Sequence, residues 1–325
     1  MEILDSIPLK EIYEARDRIS GLLVRTPLVR LQVDDAPAEI YLKLENLQRV
    51  GSFKPRGAVN VLRSVPKEQL AKGVYTASSG NMALALAWYS RQLGIPCTSI
   101  VRETSADAKL NPIRRYGGKV VKVPYEEWWQ VIISHKYEGM DGYFIHPVYN
   151  PAVIAGHGTI GLEILEDLPE VDAVIIPYGG GGLSSGVASA IRALKPNTKI
   201  YVSEVETAAP VAAALAAGEP REIEHRPNPL DCVGAKSVLS AMWPLVRRLL
   251  DGSLVVTIEQ VVEALRLLLE SNHVVAEGSG AMPVAAALAG KAGSGKVACV
   301  VSGGNIDRDI MVKVLKGKIL GSKNN

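Results

Sequence analysis

Apolar positions recur along this chain with two periods, and the two alternate. Between Leu9 and Leu23, Ile12, Ala15, Ile19, Leu22 and Leu23 fall at helical spacing, which predicts an opening amphipathic helix. The RTPL run from Arg25 stops it, because a residue before proline avoids the helical region. An alternating run at Ile40–Leu44 predicts a strand, and a turn at Lys54 leads into a helix over Gly57–Arg63. From about Gly73 the order becomes regular. Strands are predicted at Val74–Ala77, Cys97–Val101, Lys119–Val123 and Tyr143–Ile145, with helices at Asn81–Leu93, Ser105–Tyr116 and Tyr125–Tyr137 between them. The second half continues with helices at His157–Leu168, Leu183–Leu194, Ile258–Leu269 and Ala281–Ala289, and strands at Asp172–Ile176, Ile200–Ser203 and Val297–Val301. Such alternation predicts an α/β fold of two open, mostly parallel twisted sheets with helices on both faces.

Ligands in open sheets bind at the carboxyl ends of the strands, and the glycine-bearing turns fall there. ASSGN, Ala77–Asn81, follows one predicted strand; PYGGGGL, with Gly179, Gly180, Gly181 and Gly182 before Leu183, follows a second; SGGN, Ser302–Asn305, follows a third. A strand, a glycine loop and a helix start make an anion cradle, because backbone amides point inward and no side chain blocks approach. GSFKPRGA, Gly51–Ala58, sets Lys54 among small and apolar neighbours and beside Phe53, one of only two phenylalanines. Most lysines are solvated surface charges. One that is partly desolvated has a lowered pKa, and its neutral amine is the nucleophile that a Schiff base needs. GKAGSGKV, Gly290–Val297, has P-loop-like spacing but lacks Ser or Thr after Lys296 and precedes a strand, so it reads as a surface turn.

Composition narrows the function classes. Across 325 residues, 47% are apolar and 22% charged, which suits a globular chain and excludes a disordered one. The net charge is +2 and basic residues are scattered, which argues against a nucleic-acid surface. Cys97, Cys232 and Cys299 lie far apart with no CxxC pair, as packed thiols of a reduced, cytoplasmic protein would. No apolar run approaches the roughly 20 residues of a membrane span. The N-terminal MEILDSIPLKEIYEARDR mixes acidic and basic residues and lacks a signal-peptide block, so a soluble protein is expected.

GSFKPRGA, SSGN, GGGGL and SGGN, in this order, resemble the fold-type II pyridoxal-phosphate enzymes, and most of all their threonine/serine dehydratase and serine racemase branch. The resemblance runs from about Arg25 to Asp307. It implies a tryptophan synthase beta-like fold, with residues 1–72 and 150–325 as a large cofactor-binding domain and 73–149 as a small substrate-side domain. It also implies a homodimer without the C-terminal regulatory domain of the long dehydratases. Pyridoxal 5'-phosphate would be covalently held by Lys54, which would then take the substrate Cα proton. Phe53 would lie near the ring, Gly179–Leu183 would hold the phosphate, and Asn81 would meet the phenolic oxygen. Ser302 would face the pyridine nitrogen; a hydroxyl there, unlike a carboxylate, weakens the electron sink and suits elimination. Ser78, Ser79, Gly80 and Asn81 would receive the substrate, and in racemases a serine matching Ser79 works on the opposite face from the lysine. Glu277 would line the cofactor site, although an ordinary helix-start carboxylate fits it equally.

Two departures stand out. Met82 replaces the family's usual histidine, which would make that side of the site more apolar. Glu204 matches a glutamate that binds a divalent cation in relatives, but the acidic partner six positions on is Pro210, and Ala208 offers only a carbonyl. Hard cations take several oxygen ligands, so a weak or absent metal site is expected. His146, His157 and His273 lack metal spacing; His157 reads as packing beside the site, and Trp128 and Trp129 as core or interface. The resulting expectation is a lyase that releases a 2-oxo acid and ammonia from L-threonine or L-serine. Serine racemase, using Lys54 and Ser79, is the alternative. A catalytically impaired pyridoxal-phosphate-binding protein, with Met82 as its sole support, is the alternative from another class.

Overall fold

The computed structural model describes residues 6–230, 232 and 234–318; the first five residues of the N-terminal stretch and the outer ends of the 1–72 and 150–325 bounds lie outside them. The strands are β1 Leu28–Arg30, β2 Glu39–Leu44, β3 Val74–Ala77, β4 Cys97–Arg102, β5 Lys119–Val123, β6 Tyr143–Phe144, β7 Ala173–Pro177, β8 Lys199–Val205, β9 Gly252–Val256 and β10 Lys296–Val301. The helices are α1 Leu9–Ile19, α2 Lys54–Ser64, α3 Lys67–Leu70, α4 Asn81–Leu93, α5 Asp107–Arg115, α6 Tyr125–Ser134 and α7 Pro151–Asp167. They continue with α8 Gly182–Leu194, α9 Pro210–Ala217, α10 Trp243–Leu249, α11 Ile258–Asn272, α12 Gly278–Leu288 and α13 Arg308–Leu315.

Two sheets form. The larger runs β1-β2-β10-β7-β8-β9 and is parallel except for β1, which pairs antiparallel with β2. The smaller runs β5-β4-β3-β6 and is parallel throughout. One core joins α1, α7, α8 and α10 to the larger sheet, and a second lies on the sheet's other face under α11 and α12. A third packs α2 and α4 with the smaller sheet, holding Val59 and Leu62 with Met82 and Leu86. α2 therefore touches both halves: its apolar side serves the smaller sheet while Gly57 lies against Val153 and His157 of α7.

Several elements depart from the sequence expectation. α2 begins at Lys54, not Gly57, because Pro55 near its start is compatible with a first helical turn. α7 begins at Pro151, six residues before His157: Asn150 accepts from the amide of Val153, Pro151 opens the helix, and glycines hide its apolar pattern. A Cβ on Gly156 would stand 2.3 Å from the Arg56 carbonyl, so α2 and α7 meet backbone to backbone. α1 ends at Ile19 rather than Leu23, and α6 ends at Ser134, where His135 turns left-handed at φ 62°. β1, β9, α3, α9, α10 and α13 go beyond the pattern; β1 has three residues and β9 is a half-buried sheet edge, so neither shows a clear period.

Candidate active site

The Lys54 turn is fastened to the end of β10. Phe53 N donates to Ser302 O at 3.0 Å, Gly304 N donates to Gly51 O at 2.9 Å, and Ser52 bridges Gly303. Val50 and Gly51, just upstream, both stand left-handed, at φ 54° and 74°. For a β-branched residue this is a strained conformation. Asn305 Nδ2 holds Val50 O at 2.8 Å. Lys54 is half-buried; its Nζ donates to Pro147 O at 3.1 Å and lies 4.9 Å from the centre of the Phe53 ring. Burial pushes this amine down to about 8, against the opposing pull of the Glu277 charge.

Asn81 starts α4 on the far side of the site. Its Nδ2 donates to Glu277 Oε1 at 3.0 Å, and its Oδ1 accepts from Asn305 Nδ2 at 2.8 Å. Glu277 is the residue just before α12, and its backbone amide donates to Gly303 O at 2.9 Å. The smaller-sheet helix α4 is thus tied to the SGGN loop. Ser78 Oγ accepts from Gly80 N at 3.3 Å; Ser79 is half-buried and its hydroxyl has no hydrogen-bond partner among the described residues; a Cβ on Gly80 would meet nothing within 4 Å. That open ground lies directly before Asn81.

The glycine loop heads α8, with Gly181 left-handed at φ 97°. A Cβ on Gly180 would stand 2.4 Å from Val148 Cγ2, so the loop is pressed on the segment whose Pro147 carbonyl receives Lys54. His146 shapes that segment: its Nδ1 accepts from the amides of Val148 at 3.0 Å and Tyr149 at 2.7 Å. Burial, with the nearby His135, pushes its pKa down to about 3, so the ring is a neutral acceptor. Leu183 is buried in the core behind the loop. His157 is fully buried, edge-on to Phe53 with ring centres 4.8 Å apart. Burial, then the Lys54 charge, holds its pKa well below the ordinary histidine value, and neither nitrogen makes a hydrogen bond of good geometry. Tyr178, below the loop, is buried with its hydroxyl unpartnered.

Phe53 therefore joins the Lys54 turn to Ser302, Glu277 joins Asn81 to Gly303 beside it, and Gly180 and Gly182 meet the Pro147 segment through Val148. Ser302 is buried at the end of β10. Met82 does not face open space: it is 1% exposed in the core between α2 and α4, so its effect is on the packing of that seam. Glu204 is committed elsewhere. Its Oε1 accepts from Val211 N at 2.8 Å, and its Oε2 from Ala212 N at 2.9 Å and Ser253 Oγ at 2.6 Å. Pro210 heads the helix whose amides fill this carboxylate. His273 only caps α11, and Trp128 and Trp129 pack beside Tyr125 on α6. The Gly290–Lys296 turn sits at the surface with Lys296 paired to Glu170. Asn305 and the charge cluster around Arg56 are the parts that motif reading left without a role. Arg56 lies in GSFKPRGA, but its partners are remote in sequence.

The residues present fit pyridoxal phosphate. A lysine amine poised near neutrality stands by a buried serine, and a side-chain-free loop at the head of the 13-residue α8 offers amides to a phosphate. No group of three or more metal-ligating side chains gathers among the described residues, and no helix among them is long and apolar enough to cross a membrane.

Comparison with known proteins identifies the family. The family described as "Pyridoxal-phosphate dependent enzyme" matches residues 19–303. An L-threonine ammonia-lyase of Thermotoga maritima is 37% identical over 97% of this chain and 80% of its own length. A serine racemase of Dictyostelium discoideum is 36% identical over 97% of this chain and all of its own. The solved structure of maize serine racemase superposes with a TM-score of 0.86 at 33% identity, covering 96% of this chain and 98% of that one.

Proposed function

The chain belongs to the pyridoxal-phosphate dependent enzymes, and from that premise we propose that it is an ammonia-lyase for L-threonine and L-serine, giving a 2-oxo acid and ammonia. The observation that carries the reading is Lys54: a half-buried amine lowered to about 8, hydrogen-bonded to the segment under the glycine loop and fastened to Ser302 by its own turn. The cofactor, when bound, supplies an electron sink for negative charge at the amino acid's Cα. Lys54 Nζ would hold it covalently, and the same amine, lowered to about 8, would serve as the base for the Cα proton near neutral pH. The amides of Gly179–Gly182 would hold the phosphate. Ser302, being neutral, would offer the ring nitrogen a hydroxyl and no carboxylate, which supports loss of the β-hydroxyl over transamination. Ser78, Ser79 and Gly80 would receive the substrate carboxylate on open ground before α4, and Asn305 and Glu277 fix the Asn81 amide beside them. A homodimer, a cytoplasmic location and the division into 1–72 with 150–325 against 73–149 belong to the same proposal.

A racemase reading has one observation of its own. The Ser79 hydroxyl is half-buried and uncommitted among the described residues, so it is available to return a proton to the other face of Cα. The test is the visible spectrum of the purified protein before and after L-threonine, L-serine and D-serine, with assay of 2-oxo acid and chiral analysis of recovered serine. A yellow protein forming 2-oxo acid from threonine supports the lyase. Inversion of serine without 2-oxo acid moves the reading to the racemase, and spectral shifts without turnover leave only a binding protein.

A further inference from the structure

Two residues past Lys54, the Arg56 side chain is sealed in a charge cluster that the proposed chemistry does not use. Its Nε and Nη2 donate to Glu45 Oε2 and Oε1, both at 2.8 Å, and its Nη1 and Nη2 donate to Glu163 Oε1 and Oε2 at 2.7 and 2.8 Å. Thr159 Oγ1 accepts from Nη1 at 3.1 Å. Lys43 Nζ donates to the same Glu163 and to the Thr26 carbonyl, and Thr26 Oγ1 donates to Glu45. Arg56, Lys43, Glu45, Thr26 and Thr159 are at most 1% exposed. Lys43 and Arg56 balance Glu45 and Glu163. Burial alone would push the Glu163 carboxyl up, but Arg56 and Lys43 outweigh it and hold its pKa below the ordinary range.

A buried ion pair adds little stability over an apolar core of the same shape, because desolvation offsets the attraction. What an arginine fork supplies is a single geometry, since two carboxylates can both be met in only one register. The turn beside it needs such a constraint. Val50 and Gly51 are left-handed on its upstream side, and a strained turn relaxes unless both ends are held. Downstream, the Arg56 carbonyl abuts Gly156 with no room for a Cβ, so the fork and the backbone contact seat α2 on α7 together.

We propose that Arg56 is a positioning residue for Lys54: its fork to Glu45 and Glu163 holds the first turn of α2 against the turn that follows strand β2 and against helix α7, and thereby keeps the lysine amine at Pro147 O. The inference rests on Lys54 being the cofactor lysine, and the test separates the two. In the apoprotein, Lys54 is methylated with formaldehyde and cyanoborohydride across pH and read by peptide mass. The wild-type profile inflects near 8. Arg56→Lys keeps the charge but breaks the fork, and Thr159→Val removes one acceptor while all four charges stay. In both, the inflection moves up toward that of an ordinary lysine as the freed amine meets water. In the loaded enzyme kcat falls, by about 100-fold for Arg56→Lys and about tenfold for Thr159→Val, with KM within about threefold. Far-UV circular dichroism confirms folding, and should Arg56→Lys not fold, Thr159→Val decides alone. Folded variants with the wild-type Lys54 profile and kcat overturn the proposal. A wild-type protein whose cofactor sits on another lysine defeats the functional reading instead, and leaves the apoprotein comparison intact.

Discussion

The turn at Lys54 separates two polar clusters built from similar groups and left in opposite states. On one side Arg56, Lys43, Glu45 and Glu163 meet each other, and every charge has a close partner in a dry interior. On the other, Lys54 has one carbonyl partner, while Tyr178 and His157 are buried with polar atoms unpartnered, and the Ser79 hydroxyl is uncommitted among the described residues. A closed cluster holds one geometry and has nothing left to offer a ligand. In the open cluster burial lowers the lysine pKa and donors and acceptors stay in reserve, which costs stability and makes chemistry available. Glu204 sharpens the contrast. It matches a metal-ligand position by sequence, yet the α9 amides and Ser253 have closed it.

The comparison predicts stability changes of opposite sign. Glu45→Ala strips the fork of one carboxylate and leaves a buried guanidinium half-partnered, so it lowers the unfolding free energy by about 3–5 kcal/mol. Denaturant titration measures this, and a loss under about 1 kcal/mol would mean that the cluster is not closed. Lys54→Met acts the other way in the apoprotein. The folded-state pKa of Lys54 is about 8, below the ordinary 10.5. At pH 7 both folded and unfolded chains hold the proton, and the folded chain bears the full cost of burying the charge. Between these two values the folded chain releases its proton first, so stability contributed at this site rises with pH. Lys54→Met is therefore more stable than wild type by about 1–3 kcal/mol at pH 7, and the gain shrinks by pH 10. The same gain at both values would break the contrast.

Much of the frame is legible from period alone. β3, β5 and α4 keep the bounds that their apolar spacing predicts, because each is a single regular segment between glycine or proline stops. α7 is not legible at its start, since Gly156 and Gly158 sit where α2 and α1 press close and so break the apolar stripe. The chemical turns around Lys54, Asn81, Gly179 and Ser302 stand out because glycine at a strand end has few other uses. The charge cluster does not, because Glu45, Lys43 and Glu163 are brought to Arg56 by tertiary packing, and each looks like a surface charge in its own segment. Met82 and Glu204 show the same limit. Sequence marks both as departures, but only packing reveals that one fills the α2–α4 seam and the other caps α9.

The most direct measurement is borohydride reduction of the yellow protein followed by peptide mapping. The account predicts one pyridoxyl-phosphate adduct, on Lys54, and loss of the visible band in Lys54→Ala. An adduct on any other lysine, or a protein that takes up no cofactor, would contradict it.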